Sequence, residues 1–344
     1  MILSNKDTLF AFLILLLVIF LYILHVIILV IYTDKSRFNK RINVKKYIND
    51  IDYKKYSNLI KKDYNFKTSN NNQLNGNIYY YKEQYENIII FACGYNMSKE
   101  QYLPEINFLS SLGYTVFCYD NLGTGSSEGK TLKGIPQSII DLEYCINNIK
   151  NLYPNSKITL VGHSMGAYAC VNVLNTKNVD KVIAISPFNN ILDVVCENIR
   201  KKFGRNIFLY KTIYNILLRI RFKKYASYNT FDTIKYINTN VLIIHGEEDK
   251  TVNVNKCIDS MISNNNSFIK FLILPNKGHE PLLSINAINY NLYLKHQISD
   301  LKLNYGKNIP ETEIKKINEN VNIELKTQLD EDVLKEIKSF IKGE

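Results

Sequence analysis

Residues 157–166 read KITLVGHSMG, and this stretch decides the fold of the chain. A continuous apolar run leads into Gly162, the pattern G-x-S-x-G follows, and a helical pattern begins after Gly166. A strand, a tight turn and a helix in this order are typical of a nucleophile elbow, in which small flanking residues let the helix approach the strand. The stretch predicts that Ser164 is a catalytic nucleophile exposed above a sheet, and the alternative is a structural glycine-rich turn.

A serine hydroxyl is a weak nucleophile, so it needs a base and a carboxylate that orients the base. Residues 241–252 read VLIIHGEEDKTV and residues 271–280 read FLILPNKGHE, so one strand precedes Asp249 and another precedes His279. The serine, the acid and the histidine then follow one another in the chain order that this elbow uses. We therefore predict Ser164, Asp249 and His279 as a catalytic triad.

Other residues compete for the two supporting roles. Glu247 and Glu248 are alternative carboxylates beside Asp249. Among the other histidines, His245 ends a strand and is expected to be structural, and His163 is expected to point away from the nucleophile. His296 falls in a polar helical stretch near the C-terminus.

An acyl-transfer site also needs backbone N–H groups aimed at the oxygen on which negative charge develops. The residue after the nucleophile, Met165, is expected to supply one of these donors. The second is expected from the loop after an early strand, where residues 91–96 read FACGYN. We predict the backbone N–H of Tyr95 as that donor.

Strand-like runs alternate with helical patterns from residue 77 onward. Most of these runs are continuously apolar, which is typical of a parallel sheet that is buried on both faces. The alternation predicts an α/β fold with a mostly parallel, doubly wound sheet. Residues 189–240 are expected to form a small helical cap, and a polar helical stretch at 287–325 precedes a final amphipathic helix.

Residues 9–32 form an apolar run in which His25 is the one strongly polar side chain. Such a run is long enough to cross the roughly 30 Å hydrocarbon core, so we predict a transmembrane signal anchor after a short tail at 1–8. Residues 33–72 are predicted as a basic linker and residues 73–344 as the catalytic domain. Lys6 precedes the run, and six basic residues follow it closely: Lys35, Arg37, Lys40, Arg41, Lys45 and Lys46. This bias predicts a single-pass membrane protein with a cytoplasmic catalytic domain.

The composition narrows the classes of partner. The net charge is +11, but the basic residues crowd beside the apolar run and no nucleic-acid-binding motif accompanies them, so the expected partner is the bilayer and not nucleic acid. The six cysteines are scattered singly, as expected for buried thiols in a reducing compartment. Metal-ligand spacings, a phosphate loop and a dinucleotide fingerprint are missing from the sequence, so neither a cofactor nor a metal is predicted.

From about residue 77 to residue 281 the chain resembles the α/β-hydrolase superfamily, and within it the serine aminopeptidase-like and monoacylglycerol lipase (lysophospholipase)-like group. The matching pieces are ACGY at 92–95, YDNLGTGSSEG at 119–129, GHSMG at 162–166, HGEED at 245–249 and GHE at 278–280. The resemblance implies an α/β-hydrolase fold whose cap shapes an acyl pocket. The group usually has histidine where this chain has Cys93, which leaves open how the oxyanion loop is supported. The stretch at 287–325 is also longer than the group's usual last connection.

Three functions are compatible with these features. The first is a serine hydrolase that cleaves carboxylic esters of a lipid-like substrate such as a lysophospholipid or a monoacylglycerol. The second is a peptidase of the serine aminopeptidase type, which would take a peptide substrate. The third is a noncatalytic membrane-bound binding protein, against which the complete triad argues.

Overall fold

A computed structural model describes residues 5–42, 51–81, 87–203, 207–252, 266–306 and 308–344. Eight strands within these ranges form one sheet. They are β1 Leu59–Lys67, β2 Gln73–Tyr81, β3 Ile88–Ala92, β4 Thr115–Tyr119, β5 Ile158–His163, β6 Lys181–Ile185, β7 Asn240–Gly246 and β8 Ile269–Leu274. Their order across the sheet is β1-β2-β4-β3-β5-β6-β7-β8.

The sheet is parallel from β4 to β8, and the β1–β2 and β2–β4 pairs are antiparallel. The helices of the described ranges are α1 Asn5–Arg37, α2 Leu103–Ser111, α3 Gln137–Leu152, α4 Met165–Asn172, α5 Ile191–Phe203, α6 Phe208–Phe222, α7 Thr230–Tyr236, α8 Ile285–Tyr305, α9 Glu311–Glu319, α10 Ile323–Lys326 and α11 Glu331–Lys342. The predicted mostly parallel α/β sheet with an inserted helical cap is confirmed, and α5, α6 and α7 occupy the insertion.

Alternate residues of the central strands face opposite sides of the sheet, and both sides are covered. Ile88 and Ile90 of β3 belong to an apolar cluster that also contains buried residues of α3, α4 and α6. Ile89 and Phe91 belong to a second cluster with buried residues of α2 and α11. This double cover explains why the strands read as continuous apolar runs, because neither face of the sheet meets water.

The cysteines fit into this core as small apolar side chains. Those in the described ranges are all free and buried: Cys93, Cys118, Cys145, Cys170 and Cys196. Cys257 lies outside the described residues.

Helix α1 contains the apolar run and continues beyond it. In the described ranges it is the one helix that is long and apolar enough to cross a membrane by length and composition, from Thr8 to Arg37. Its C-terminal third is not free, because α1 packs against α6 and buries Val26 and Val30 in the same apolar cluster as Tyr214. Asp34 also accepts two hydrogen bonds from Arg221 of α6, with Nη–Oδ distances of 3.0 and 2.8 Å. The end of the apolar helix is therefore fixed to the domain.

The sheet begins earlier in the chain than expected. The sequence predicts a basic linker over residues 33–72, but β1 lies within this segment and pairs with β2 over its whole length. The sequence does not indicate this strand because its polar and apolar residues alternate imperfectly, and within it only Leu59 and Phe66 are fully buried. Phe66 packs edge-to-face on Phe117 and Tyr119, so this part of the segment belongs to the core.

The residues that follow α1 also contact the domain. The guanidinium of Arg41 donates to the carbonyl oxygens of Gly125, Ser127 and Gly129 at 2.7 to 3.0 Å. The backbone N–H of Ile42 donates to the carbonyl oxygen of Gly123 at 2.8 Å. Arg41 therefore binds this loop, whereas Lys45 and Lys46, the last two of the six basic residues that follow the apolar run, lie outside the described residues.

Candidate active site

Ser164 occupies the turn between β5 and α4. Its backbone has φ 54° and ψ −111°, a conformation that non-glycine residues rarely adopt and that costs on the order of 1–3 kcal/mol. The backbone N–H of Ser164 donates to the carbonyl oxygen of Ile185 in β6 at 2.8 Å, which ties the turn to the neighbouring strand. The strained turn holds the hydroxyl at the carboxyl ends of the parallel strands, where sites of such folds lie.

The glycines of the turn allow a backbone contact that any side chain would prevent. A Cβ atom on Gly166 would overlap the carbonyl group of Ala92 at the end of β3. A Cβ atom on Gly162 would overlap the backbone of Gly166 itself. The motif thus has glycine at these two positions because helix α4 starts in direct contact with two strands.

The structure brings the three predicted triad residues together. His279 Nε2 lies 3.0 Å from Ser164 Oγ, and His279 Nδ1 lies 2.7 Å from Asp249 Oδ2. The assignment that satisfies both contacts has Nδ1–H donating to the carboxylate and the serine hydroxyl donating to Nε2. Asp249 and His279 follow β7 and β8, and Gly246 lets the two loops meet, because a Cβ there would overlap the backbone of Lys277 and Gly278.

The carboxylate of Asp249 is buried and fully engaged. Its Oδ1 accepts from the backbone N–H groups of Thr251 and Val252 at 2.7 and 2.9 Å. Burial alone would raise the pKa of this carboxyl, but the hydrogen bonds from His245 and His279 outweigh burial and hold the pKa well below its ordinary value. Asp249 is therefore ionised at neutral pH and can stabilise a positive charge on His279.

The competing acidic side chains lie elsewhere. Glu247 and Glu248 are exposed, while Asp249 is buried beneath the base. His296 is exposed on α8.

His245, expected to be structural, is buried, and its Nε2 lies 3.2 Å from Asp249 Oδ2 and 3.2 Å from the carbonyl oxygen of Val252. It is thus a second histidine on the same carboxylate, and the spacing of four residues between His245 and Asp249 at a strand end is the signal that would have revealed it.

His163 points away from the nucleophile, and it joins two parts of the site. The backbone N–H of Gly94 donates to the hydroxyl of Tyr102 at 3.0 Å, and that hydroxyl lies 3.0 Å from His163 Nδ1. His163 Nε2 lies 3.0 Å from the backbone carbonyl oxygen of His279. Burial lowers the pKa of His163 despite the nearby carboxylate of Glu280, so the ring is neutral at pH 7 and donates from Nε2 to this carbonyl.

This chain of hydrogen bonds also explains how the loop at Cys93 is held without the usual histidine. Tyr102 accepts from Gly94, and the side-chain amide of Asn121 donates to the carbonyl oxygen of Cys93 at 3.2 Å. The sequence gives no sign of this role of Tyr102, because its partner His163 lies 61 residues away in the chain.

The two predicted oxyanion donors lie at the ends of adjacent strands. Met165 is the first residue of α4, where helical N–H groups have no partner within the helix. Tyr95 follows Gly94 after β3, and in the described part of the chain neither its amide nor that of Met165 donates to a backbone oxygen. The side chain of Tyr95 contacts the end of α1, since its hydroxyl donates to the carbonyl oxygen of Arg37 at 2.7 Å and its ring packs edge-to-face on Phe38.

The DNLGTGSSEG segment at 120–129 has a structural role. Asp120 Oδ2 lies 2.9 Å from the buried ammonium group of Lys99, and the carboxylate also accepts from the backbone N–H groups of Lys99 and Ser126. Over the ranges that the structure describes, no group of three or more His, Cys, Asp or Glu side chains is placed to hold a metal ion.

The chain is similar to known proteins both in sequence and in structure. Residues 83–226 match the family described as serine aminopeptidase, S33. Human protein ABHD12B is 29% identical over 158 residues, a match that covers 44% of this chain and 41% of the relative, so less than half of the relative's length is spanned. An esterase from Pyrococcus furiosus is 22% identical with a TM-score of 0.55, covering 77% of this chain and 98% of that chain. Acetyl xylan esterase 1 from Thermoanaerobacterium is 16% identical with a TM-score of 0.51, covering 73% and 96%. These two structural likenesses show the fold.

Replacing Tyr102 with Phe should weaken catalysis through the oxyanion loop and the base loop together. The change removes the acceptor of the Gly94 N–H and the donor to His163, and a buried polar group that loses its partner costs about 1–3 kcal/mol. We expect kcat to fall about 10-fold or more with a smaller change in KM. The control is Tyr81→Phe, which loses one hydrogen bond to Asn107 outside the site. Equal kcat values for the two variants would contradict this positioning role.

Replacing Asp249 with Asn should cripple turnover, whereas Glu248→Gln should change it little. The asparagine amide would donate to His279 Nδ1 and force the proton onto Nε2, which could then no longer accept from Ser164. By analogy with other triads we expect a loss of about 10³–10⁴-fold in kcat. Steady-state kinetics of both variants would measure it, and the assignment fails if Glu248→Gln is the damaging change.

Proposed function

We propose that the chain is a membrane-anchored serine hydrolase of the α/β-hydrolase superfamily and that it cleaves carboxylic esters. One observation carries the proposal, the unbroken hydrogen-bond chain from Asp249 through His279 to Ser164. A buried ionised acid, a histidine and a strained, partly exposed serine in this geometry are what acyl transfer requires.

The proposed reaction begins with attack of Ser164 Oγ on the ester carbonyl carbon. His279 Nε2 takes the hydroxyl proton as the new C–O bond forms, and Asp249 stabilises the resulting imidazolium. The carbonyl oxygen becomes negatively charged and accepts hydrogen bonds from the backbone N–H groups of Tyr95 and Met165. These donors are fixed before the substrate arrives, so no reorganisation is needed when the charge develops.

The tetrahedral intermediate then collapses to an acyl-enzyme. The bond to the leaving alcohol breaks, and His279 donates its proton to the departing oxygen. A water molecule next attacks the acyl carbon while His279 takes one of its protons. Collapse of the second intermediate releases the carboxylic acid, and the proton returns from His279 to Ser164 Oγ.

The position of α1 favours a lipid-like substrate such as a lysophospholipid or a monoacylglycerol. The proposed oxyanion donor Tyr95 touches the end of the apolar helix through Arg37 and Phe38. If α1 crosses a membrane, the loop that carries Tyr95 lies beside the end of the membrane-spanning helix. A substrate that resides in the membrane would meet the site there directly.

A second candidate is a peptidase of the serine aminopeptidase type, which the description of the matching family favours. The same triad could attack a peptide carbonyl, and His279 would then donate its proton to the leaving amine. The two candidates differ in the leaving group and in the need for a site that binds a free α-amine.

Replacing Ser164 with Ala should abolish hydrolysis and labelling by a fluorophosphonate, because the attacking oxygen is removed. Loss of a triad member typically costs several orders of magnitude in kcat. The assay pairs a monoacylglycerol and a lysophospholipid with an aminoacyl anilide, and Ser111→Ala is the control because its hydroxyl only donates to a backbone carbonyl. Near wild-type turnover in Ser164→Ala would contradict the nucleophile, and turnover of the anilide alone would favour the peptidase. A wild-type protein that takes no label would favour a noncatalytic binding protein.

We also propose that the catalytic domain lies in the cytoplasm. Lys6 is the one basic residue before the apolar run, whereas Lys35, Arg37, Lys40 and Arg41 are among those that follow it closely. Basic residues beside a span favour the cytoplasmic side. Protease added to intact cells should therefore leave the domain whole until the membrane is permeabilised, and digestion from outside would place the domain on the opposite side.

A further inference from the structure

Helix α6 presents large apolar side chains to solvent although its other face is buried. Tyr210, Tyr214 and Leu218, spaced four residues apart, pack into the domain core. Phe208 and Ile220 are 79% and 75% exposed, and Ile216, one turn before Ile220, is 51% exposed. One face of α6 already packs against the core, so the three exposed side chains form a second apolar surface. Such a surface indicates contact with something other than the core.

Basic side chains stand among these apolar ones. Arg219 precedes Ile220 on the exposed side of α6, and the exposed side chains of Lys223 and Lys224 follow directly after the helix ends at Phe222. A helix that mixes exposed apolar and basic residues is suited to the interface of a bilayer that contains anionic lipids. A protein partner would have to bury the same cations, whereas headgroups leave them hydrated.

The packing of α1 on α6 fixes where this face lies relative to the apolar helix. Val26 and Val30 of α1 are buried in the cluster that contains Tyr210 and Tyr214, and Arg221 binds Asp34 through both oxygens. Arg221 also donates to the carbonyl oxygen of Lys133 at 2.6 Å, so the pair is anchored to the domain. The two helices are therefore joined by both apolar packing and a hydrogen-bonded ion pair.

The length of α1 determines the depth of α6. Residues 9–25 of α1 are exposed on all sides and span about 25 Å at 1.5 Å per residue. This is shorter than the hydrocarbon core of about 30 Å, so the following turns must also lie in the membrane boundary. Those turns, at residues 26–32, add about 10 Å, and they bury Val26 and Val30 in the apolar cluster that contains α6 residues. Helix α6 therefore lies beside the part of α1 at the membrane boundary, where interfacial helices insert by about 5–10 Å.

We propose that the exposed face of α6, formed by Phe208, Ile216 and Ile220 with their basic neighbours, is inserted in the interfacial layer of the bilayer that α1 crosses. This inference rests on the proposed membrane anchor, and it deepens the proposed function by giving a lipid substrate a lateral route to the domain. The Asp34–Arg221 pair joins α1 to α6 and would thereby hold α6 against the membrane.

The absence of tryptophan from the chain allows a direct test. Single tryptophans are introduced as Ile220→Trp and Phe208→Trp, and the full-length protein is reconstituted in phosphatidylcholine–phosphatidylglycerol vesicles with brominated acyl chains. The control is Leu303→Trp, which replaces a side chain that is 83% exposed on α8, a helix that packs against α10. All three sites are exposed, so the substitutions place no new bulk in the core.

The α6 tryptophans should emit at shorter wavelength, lose most of their emission to the brominated lipids and resist aqueous acrylamide, while the Leu303→Trp control shows the reverse. Acrylamide quenching of the α6 tryptophans equal to that of the control, in protein that resists alkaline extraction, would overturn the docking of α6 and leave the anchor intact. Release of the protein by alkaline extraction would overturn the anchor and the docking together. The fluorescence does not depend on turnover, so neither result bears on the triad.

Discussion

The backbone contact between the start of α4 and the ends of β3 and β5 is the constraint on which the rest of the site depends. Gly162 and Gly166 allow it, because a Cβ atom at either position would overlap neighbouring backbone. The contact forces Ser164 into a strained conformation and aims its hydroxyl out of the sheet. It also sets the Met165 amide at the beginning of a helix, so the nucleophile and one proposed oxyanion donor are fixed by the same turn.

The loops after β7 and β8 complete this geometry through contacts that the local sequence does not reveal. The strand–turn–helix pattern and the parallel sheet could be predicted because they follow from local periodicity and glycine spacing. Asp249 and His279 could be proposed beside Ser164 because this elbow has a fixed chain order of serine, acid and histidine. The contact of Tyr102 with His163 could not, because the two residues lie 61 positions apart in the chain and meet only when the fold brings their loops together.

The segment after the apolar run shows a second limit of sequence reasoning. Its polar and basic composition is typical of a linker, yet Arg41 and Ile42 bind the loop at 123–129 and β1 extends the sheet. The contacts of Arg41 and Ile42 join positions more than 80 residues apart, and an edge strand such as β1 that buries few side chains carries a weak pattern. The consequence is functional, since the apolar helix is attached to α6 and to the Tyr95 loop and is not a flexible tether.

The central claim is that Ser164 forms a covalent acyl-enzyme, and its most direct test is to trap that intermediate. Full-length protein is mixed with a long-chain carboxylic ester, quenched in acid within milliseconds and digested for mass spectrometry. The account predicts that the peptide carrying GHSMG gains the mass of the acyl group on Ser164 and loses it as turnover proceeds. An acyl group on another residue, or hydrolysis with no covalent intermediate at any time point, would contradict it.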